Sequence, residues 1–290
     1  MSFPITRRGF IWAGAALPAM TKLAAQSPSC ILVPEQEEGP YYVDFEKVRR
    51  NVTEEHPGVP LRLRVALVDS RSCAPLANAA LDIWHCDAGG VYSGFTANSG
   101  GDGGPDGRGK GGGPPGFDGR SKGGPPPGGF GKGGPPPGGG RGKGKGPGGP
   151  GRGATDATRF LRGVQLTNAQ GLVEFESIYP GWYQGRTIHI HLKTHLGGSV
   201  TGDTYAGGHV SHTGQLFFPE DVTAEIAKLD PYVKHSSVHR TLHSEDGIFQ
   251  SQGGSKSMVK LERQVPGSNE GGFIATVTLA VNPEATPAVF

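Results

Sequence analysis

Cysteine, methionine and tryptophan are scarce in this chain, with three of each among 290 residues, and no Cys-x-x-Cys pair occurs. A structural zinc module, which gathers thiolates at short spacing, is therefore excluded. Three cysteines, Cys30, Cys73 and Cys86, can close one disulfide and leave one thiol. Cys73 and Cys86 flank a turn and the next strand-like segment and are the preferred pair, with Cys30–Cys73 as the alternative. Long hydrophobic runs are also lacking. The apolar stretch over residues 11–20 is too short to span a bilayer, so no stable membrane anchor is expected. An excess of one sign of charge is nearly absent, with 28 Lys and Arg against 26 Asp and Glu, and even the net +2 is local.

What is abundant is glycine and proline, 51 and 25 residues, concentrated over residues 99–153. That stretch holds almost no apolar residue, so it cannot bury enough surface to offset chain entropy, and a disordered Gly/Pro-rich insertion is expected there. Lys122-Gly123-Gly124-Pro125-Pro126-Pro127-Gly128-Gly129 recurs ten residues later, but strict Gly-x-y, which collagen requires, is missing. The insertion carries nine basic and three acidic residues, which leaves the rest of the chain about four units negative. No nucleic-acid partner is expected of such a remainder. Ahead of it, Thr6-Arg7-Arg8-Gly9-Phe10, the mild apolar run and Leu23-Ala24-Ala25 have the layout of a twin-arginine export signal over residues 1–25. A periplasmic or secreted protein is the expectation.

The remaining segments, 26–98 and 154–290, read as one β domain. Leu61, Leu63, Val65 and Leu67 alternate with Arg62, Arg64 and Ala66, the mark of a half-buried strand. Similar runs cover residues 80–86, 161–167, 172–177, 187–193, 215–218, 258–264 and 273–281, separated by Gly, Pro, Asn and Asp. Many short strands with turn punctuation predict an all-β sandwich. Only residues 220–229, following Pro219, carry a helical pattern.

Chemistry concentrates in two segments. In Thr187-Ile188-His189-Ile190-His191 alternate side chains share a face, so His189 and His191 project together, about 7 Å apart at their roots, while Ile188, Ile190 and Leu192 face a core. By itself such a pair also describes two structural histidines. The second segment is Gly90-Val91-Tyr92-Ser93, and Pro180-Gly181-Trp182-Tyr183 leads into the histidine strand.

Together with Glu38-Gly39-Pro40-Tyr41-Tyr42, Ala80-Leu81-Asp82-Ile83-Trp84-His85-Cys86-Asp87 and Phe160-Leu161-Arg162-Gly163, these stretches resemble the intradiol ring-cleavage dioxygenases. The resemblance covers most of residues 30–220. It implies that Tyr92 and Tyr183 are phenolate ligands and His189 and His191 imidazole ligands of Fe(III). A phenol with an ordinary pKa of about 10 ligates at neutral pH only beside a strong Lewis acid, and ferric iron is hard enough. The same resemblance implies a small aromatic diol and O2 as reactants, cleavage between the two hydroxylated carbons, and a muconate-type diacid. Tyr183 corresponds to the tyrosine released from the metal, Arg186 to an arginine beside the ring, and Gln215 to an amide behind the ligands. Pro40 and Tyr41 are expected to line the pocket, and Trp182, next to a ligand tyrosine, to form either a pocket wall or part of the core. An exported β-sandwich that binds catechols or sugars without cleaving them is the alternative; a copper or zinc hydrolase lacks the carboxylate or third histidine used to activate water.

Overall fold

The computed structural model describes residues 30, 32–44, 47–97, 99 and 154–287. The expected leader over 1–25 and, apart from Ser99, the expected insertion over 99–153 lie outside the described residues.

Two four-stranded sheets pack face to face. The first runs in the order β4 (Leu172–Ile178), β1 (Pro60–Asp69), β10 (Ser268–Val281), β9 (Lys260–Val265). The second runs β3 (Arg162–Leu166), β2 (Ala80–Trp84), β5 (His189–Leu196), β8 (His209–Phe217). Every pairing is antiparallel except β1 with β10. The sandwich expected from strand punctuation is thus the fold.

Alternation in β1 sets the first layer. Leu61, Leu63, Val65 and Leu67 are all buried and meet Leu81 and Ile83 of β2 and Ile190 and Leu192 of β5 in one core. Each of these β1 side chains contributes about 1.5–3 kcal/mol on burial, so the strand's inward face alone anchors the sheet. Its outward face carries Arg62 and Arg64, which reach Glu174 of β4. Those solvent-facing pairs are worth about 1 kcal/mol or less each.

In the second sheet the same rule turns His189, His191, Lys193 and His195 outward. Register pairs His191 with Trp84 on one side and with Gln215 on the other. Residues 35–37 run along β8, where the Gln36 N–H donates to the Thr213 carbonyl and the Gln215 N–H to Gln36 Oε1. The outer face of this sheet is therefore covered, and polar side chains on it are buried.

Among the described residues several short elements went unread in the sequence, including two 3-10 turns at Tyr232–His235 and Gly254–Ser257. A β6–β7 hairpin (Ser199–Thr201, Thr204–Ala206) forms in the Gly-rich stretch after β5, and α2 (Gly247–Ser251) is a single capped turn. Helix α1 (Glu220–Ile226) starts where expected but stops at Ala227, short of Leu229. Among the described residues no helix is long and apolar enough to cross a membrane.

The preferred disulfide is corrected. Cys30 pairs with Cys73, with Cα atoms 5.6 Å apart, and Cys86 is a buried free thiol. Cys73 sits in the turn closing β1, whereas β2 intervenes in the chain before Cys86 and, at about 3.3 Å per residue, carries it to the other end of the sheet.

Candidate metal centre

Strand β5 presents two imidazoles, and hydrogen bonding decides which nitrogen each offers. The Thr187 carbonyl accepts from His189 Nδ1–H at 2.6 Å, so the His189 lone pair lies on Nε2. His189 Nε2 is 3.0 Å from His191 Nε2. Burial, followed by the charge of Arg186, pushes the His189 pKa down to about 3, and burial with the neighbouring His189 lowers His191 well below its ordinary value. Both rings are neutral donors. His191 Nδ1 meets no hydrogen-bond partner among the described residues; its ring is instead stacked flat on Trp84, 5.0 Å between centroids and 3° between planes.

Two phenols close on the same point. Tyr92 Oη and Tyr183 Oη lie 3.4 Å and 3.3 Å from His189 Nε2. Both tyrosines are buried, and burial is the main reason their phenol pKa values stand above the ordinary one. Ionising them requires a cation at that point.

Glycine puts the two tyrosines there. Gly90 has φ +80°, and a Cβ on it would stand 2.3 Å from the Trp182 carbonyl oxygen; one on Gly181 would stand 2.3 Å from the Asp87 carbonyl oxygen. The turn before Tyr92 and the loop before Tyr183 thus touch backbone to backbone, with the Gly181 N–H donating to Asp87 O. Asp87 Oδ1 accepts from Gly89 N and Val91 N, and Ser99 Oγ from Tyr92 N, which pins the Tyr92 turn. Tyr183 sits in a shorter bridge to Arg186, around Gly185 at φ +95°.

The donor set fits one metal ion. Bonds of about 2.1 Å at angles of 90–109° place neighbouring donor atoms about 3.0–3.4 Å apart, which is the spacing of the other three donors from His189 Nε2. No group of three or more His, Cys, Asp or Glu side chains suited to a metal exists among the described residues, because half of this donor set is phenol. Two hard phenol oxygens with two imidazoles suit a hard trivalent ion better than a thiophilic one.

Around the four donors the expected residues are unevenly placed. Tyr41 stacks on Tyr92 at 4.5 Å. Half-buried Pro40 follows Gly39, where a Cβ would come within 3.1 Å of the His191 ring. Trp182, expected in a pocket wall or in the core, points into the main core and not into the pocket, its indole N–H donating to Val238 O at 2.9 Å. Successive side chains of an extended segment face opposite ways, so once Tyr183 points to the site Trp182 turns from it. Arg186 lies beside the donors with its side chain 13% exposed, donating to Gln215 Oε1, to Asp246 at 3.1 Å and 3.2 Å, and to Glu37 at 3.5 Å. Gln215 Nε2 donates to the Glu37 carbonyl, so the strand amide and the 35–37 segment frame the guanidinium together.

Asp246 and Glu37 escaped the sequence reading. Asp246 followed by Gly247, Ile248 and Phe249 carries a helix-cap signal, but nothing local says that the cap faces Arg186. The other histidines stand apart. His85 is held by Cys86 O and Ser177 Oγ, His212 by Glu35, His209 by Ala285 O, and His195 packs edge-on against Tyr205.

No protein-family model and no curated protein matches the chain. Solved structures do match. An intradiol ring-cleavage dioxygenase from Tetranychus urticae is 30% identical at a TM-score of 0.63, and the match covers 89% of this chain and 97% of that one. A second solved dioxygenase is 30% identical at a TM-score of 0.62 with the same coverage.

Proposed function

Because the chain belongs to the intradiol ring-cleavage dioxygenases, we propose that the four converging donors hold Fe(III) and that the site cleaves a catechol-type ring with O2. The observation that carries this reading is that two phenol oxygens and the His191 Nε2 all lie 3.0–3.4 Å from the His189 Nε2. When bound, ferric iron supplies the Lewis acidity that stabilises phenolate and activates a catechol toward O2, with cleavage between the hydroxylated carbons to a muconate-type diacid.

The roles of the chain's own groups follow from their settings. His189 and His191 give neutral lone pairs, and the Thr187 carbonyl fixes the His189 tautomer. Tyr92, fully buried beneath Tyr41 and pinned by Asp87 and Ser99, is the fixed phenolate. Tyr183, held between Gly181 and Gly185, is the phenolate that swings and takes a hydroxyl proton from the substrate on Oη. Arg186 places a fixed positive charge where electron density builds on the ring, and Gln215 orients it. Tyr41 and Pro40 form the wall nearest the donors.

The proposal extends to export by the twin-arginine route, with a leader over residues 1–25, a β domain over 26–98 and 154–290, and an insertion over 99–153. Iron-loaded full-length protein titrated anaerobically with catechol tests the reading. A visible phenolate-to-iron band that shifts on catechol addition, followed by a diacid on admitting O2, is expected. A band that shifts with no ring opening would favour the binding-protein alternative, and a colourless protein with full iron occupancy would overturn both.

A further inference from the structure

We propose that Asp246 is a positioning residue for the reaction, acting through Arg186 and not on the substrate. The proposal rests on the role given to Arg186 above.

Asp246 is fully buried, and all of its described partners are donors. Its Oδ1 accepts from Ile248 N at 2.8 Å and Phe249 N at 3.1 Å, and its Oδ2 from Thr187 N at 2.9 Å. Three backbone N–H groups therefore fix the carboxylate, and a short side chain held by backbone has little freedom left. Against this fixed group lies the Nε edge of Arg186, 3.2 Å from Oδ1 and 3.1 Å from Oδ2.

The rest of the guanidinium meets one buried amide and one partly exposed carboxylate. Its Nη2 donates to the Gln215 amide oxygen, and its Nη1 to Glu37 Oε1 at 3.5 Å, where the Glu37 side chain is one-third exposed. Asp246, held by three backbone N–H groups, thus fixes the Nε edge and with it the rotation of the guanidinium plane, in concert with the buried Gln215 amide. Thr187 extends the connection, because its N–H goes to Asp246 and its carbonyl accepts from His189 Nδ1–H. One carboxylate on the loop before α2, about sixty residues downstream in sequence, thereby ties the charge beside the ring to the segment that orients a metal ligand.

A role confined to capping α2 and a positioning role differ in one respect. Capping has the same cost whether or not Arg186 is present; positioning has a cost only when there is a guanidinium to position. Asp246→Asn, Arg186→Ala and the double variant would be made in the full chain. For each, kcat and KM for catechol would be measured with the iron-loaded protein, and solvent exchange of the Arg186 Nε–H by NMR with the metal-free protein. We expect Asp246→Asn to lower kcat about a hundredfold with KM within about threefold, the scale of an ångström-sized misplacement, and to do so by less than about twofold when Arg186 is already alanine. The Nε–H should exchange at least about tenfold faster in Asp246→Asn.

Equal losses in the two backgrounds, or an Nε–H that stays protected in the folded variant, would overturn the proposal. If Asp246→Asn does not fold, Asp246→Glu, which keeps the charge but displaces it by one methylene, is read against the same outcomes. A wild-type protein that cleaves no catechol yet shows the Nε–H protection and its loss on substitution would sink the proposed function and leave the positioning of Arg186 intact.

Discussion

At the residue scale, the site depends on two kinds of necessity, donors that must ionise and glycines that must yield space. Tyr92 lies fully buried with its phenol pKa raised by burial, so only a bound cation can hold it as phenolate. Tyr92→Phe is expected to bleach or shift the visible band of the iron-loaded protein while leaving the far-ultraviolet circular dichroism unchanged; an unaltered band would remove Tyr92 from the ligand set. Gly90 shows the second necessity. Its φ of +80° and the 2.3 Å approach to Trp182 O leave no room for a methyl group. Gly90→Ala should destabilise the fold by about 1–3 kcal/mol in urea unfolding and weaken iron retention, since the same turn carries Tyr92. Gly89→Ala, whose nearest neighbour would be Asp87 Oδ1 at 3.4 Å, is the control that should cost far less.

At the element scale, alternation along each strand divides stability from chemistry. In β1 the inward residues build the core and the outward arginines only decorate the surface. Leu63→Ala should cost about 2–5 kcal/mol, against about 1 kcal/mol or less for Arg64→Ala, in the same urea titration. In β5 the division takes a different form, because the outward face is covered: Ile190 and Leu192 serve the core while His189 and His191 are buried on the opposite side. This is why β5 shows no exposed face although its sequence alternates. The His-x-His spacing was legible in the sequence because a strand's period is two. Whether Trp182 lines the pocket or the core was undecided for the same reason in reverse, since the direction of one residue fixes its neighbour only when the first direction is known; the structure puts it in the core.

At the scale of the whole molecule, buried histidine makes stability depend on pH. His85 is fully buried between Cys86 O and Ser177 Oγ, and burial lowers its pKa to about 4 from an ordinary 6.5. The unfolded chain takes up this proton near pH 6.5 and the folded chain only near pH 4. The stability is therefore fully present above pH 6.5 and is lost as pH falls toward 4, by a few kcal/mol. Urea unfolding of the metal-free protein at pH 7.5, 6 and 5 should show that decline, and His85→Asn should make it shallower without removing it, because buried His189, His191 and His195 are lowered in the same direction. The thiols give a further whole-molecule test. Native protein should expose no reactive thiol, and denatured, unreduced protein one, at Cys86. Labelling of Cys30 or Cys73 without reduction would contradict the pairing. What the sequence alone determined were the features encoded by local period, namely the β class, most strands, the start of α1 and the shared face of His189 and His191; Tyr92, Tyr183, Arg186 and Gln215 were singled out through the family resemblance of their motifs. Tertiary structure alone decided which distant segments meet: Cys30 with Cys73, Gly90 against Trp182, Trp182 in the core, and Asp246 and Glu37 around Arg186. The physical reason is that a strand's alternation is set by its own backbone. A contact across some sixty or more than a hundred residues, as between Arg186 and Asp246 or Glu37, instead depends on how two sheets and their loops close on one another.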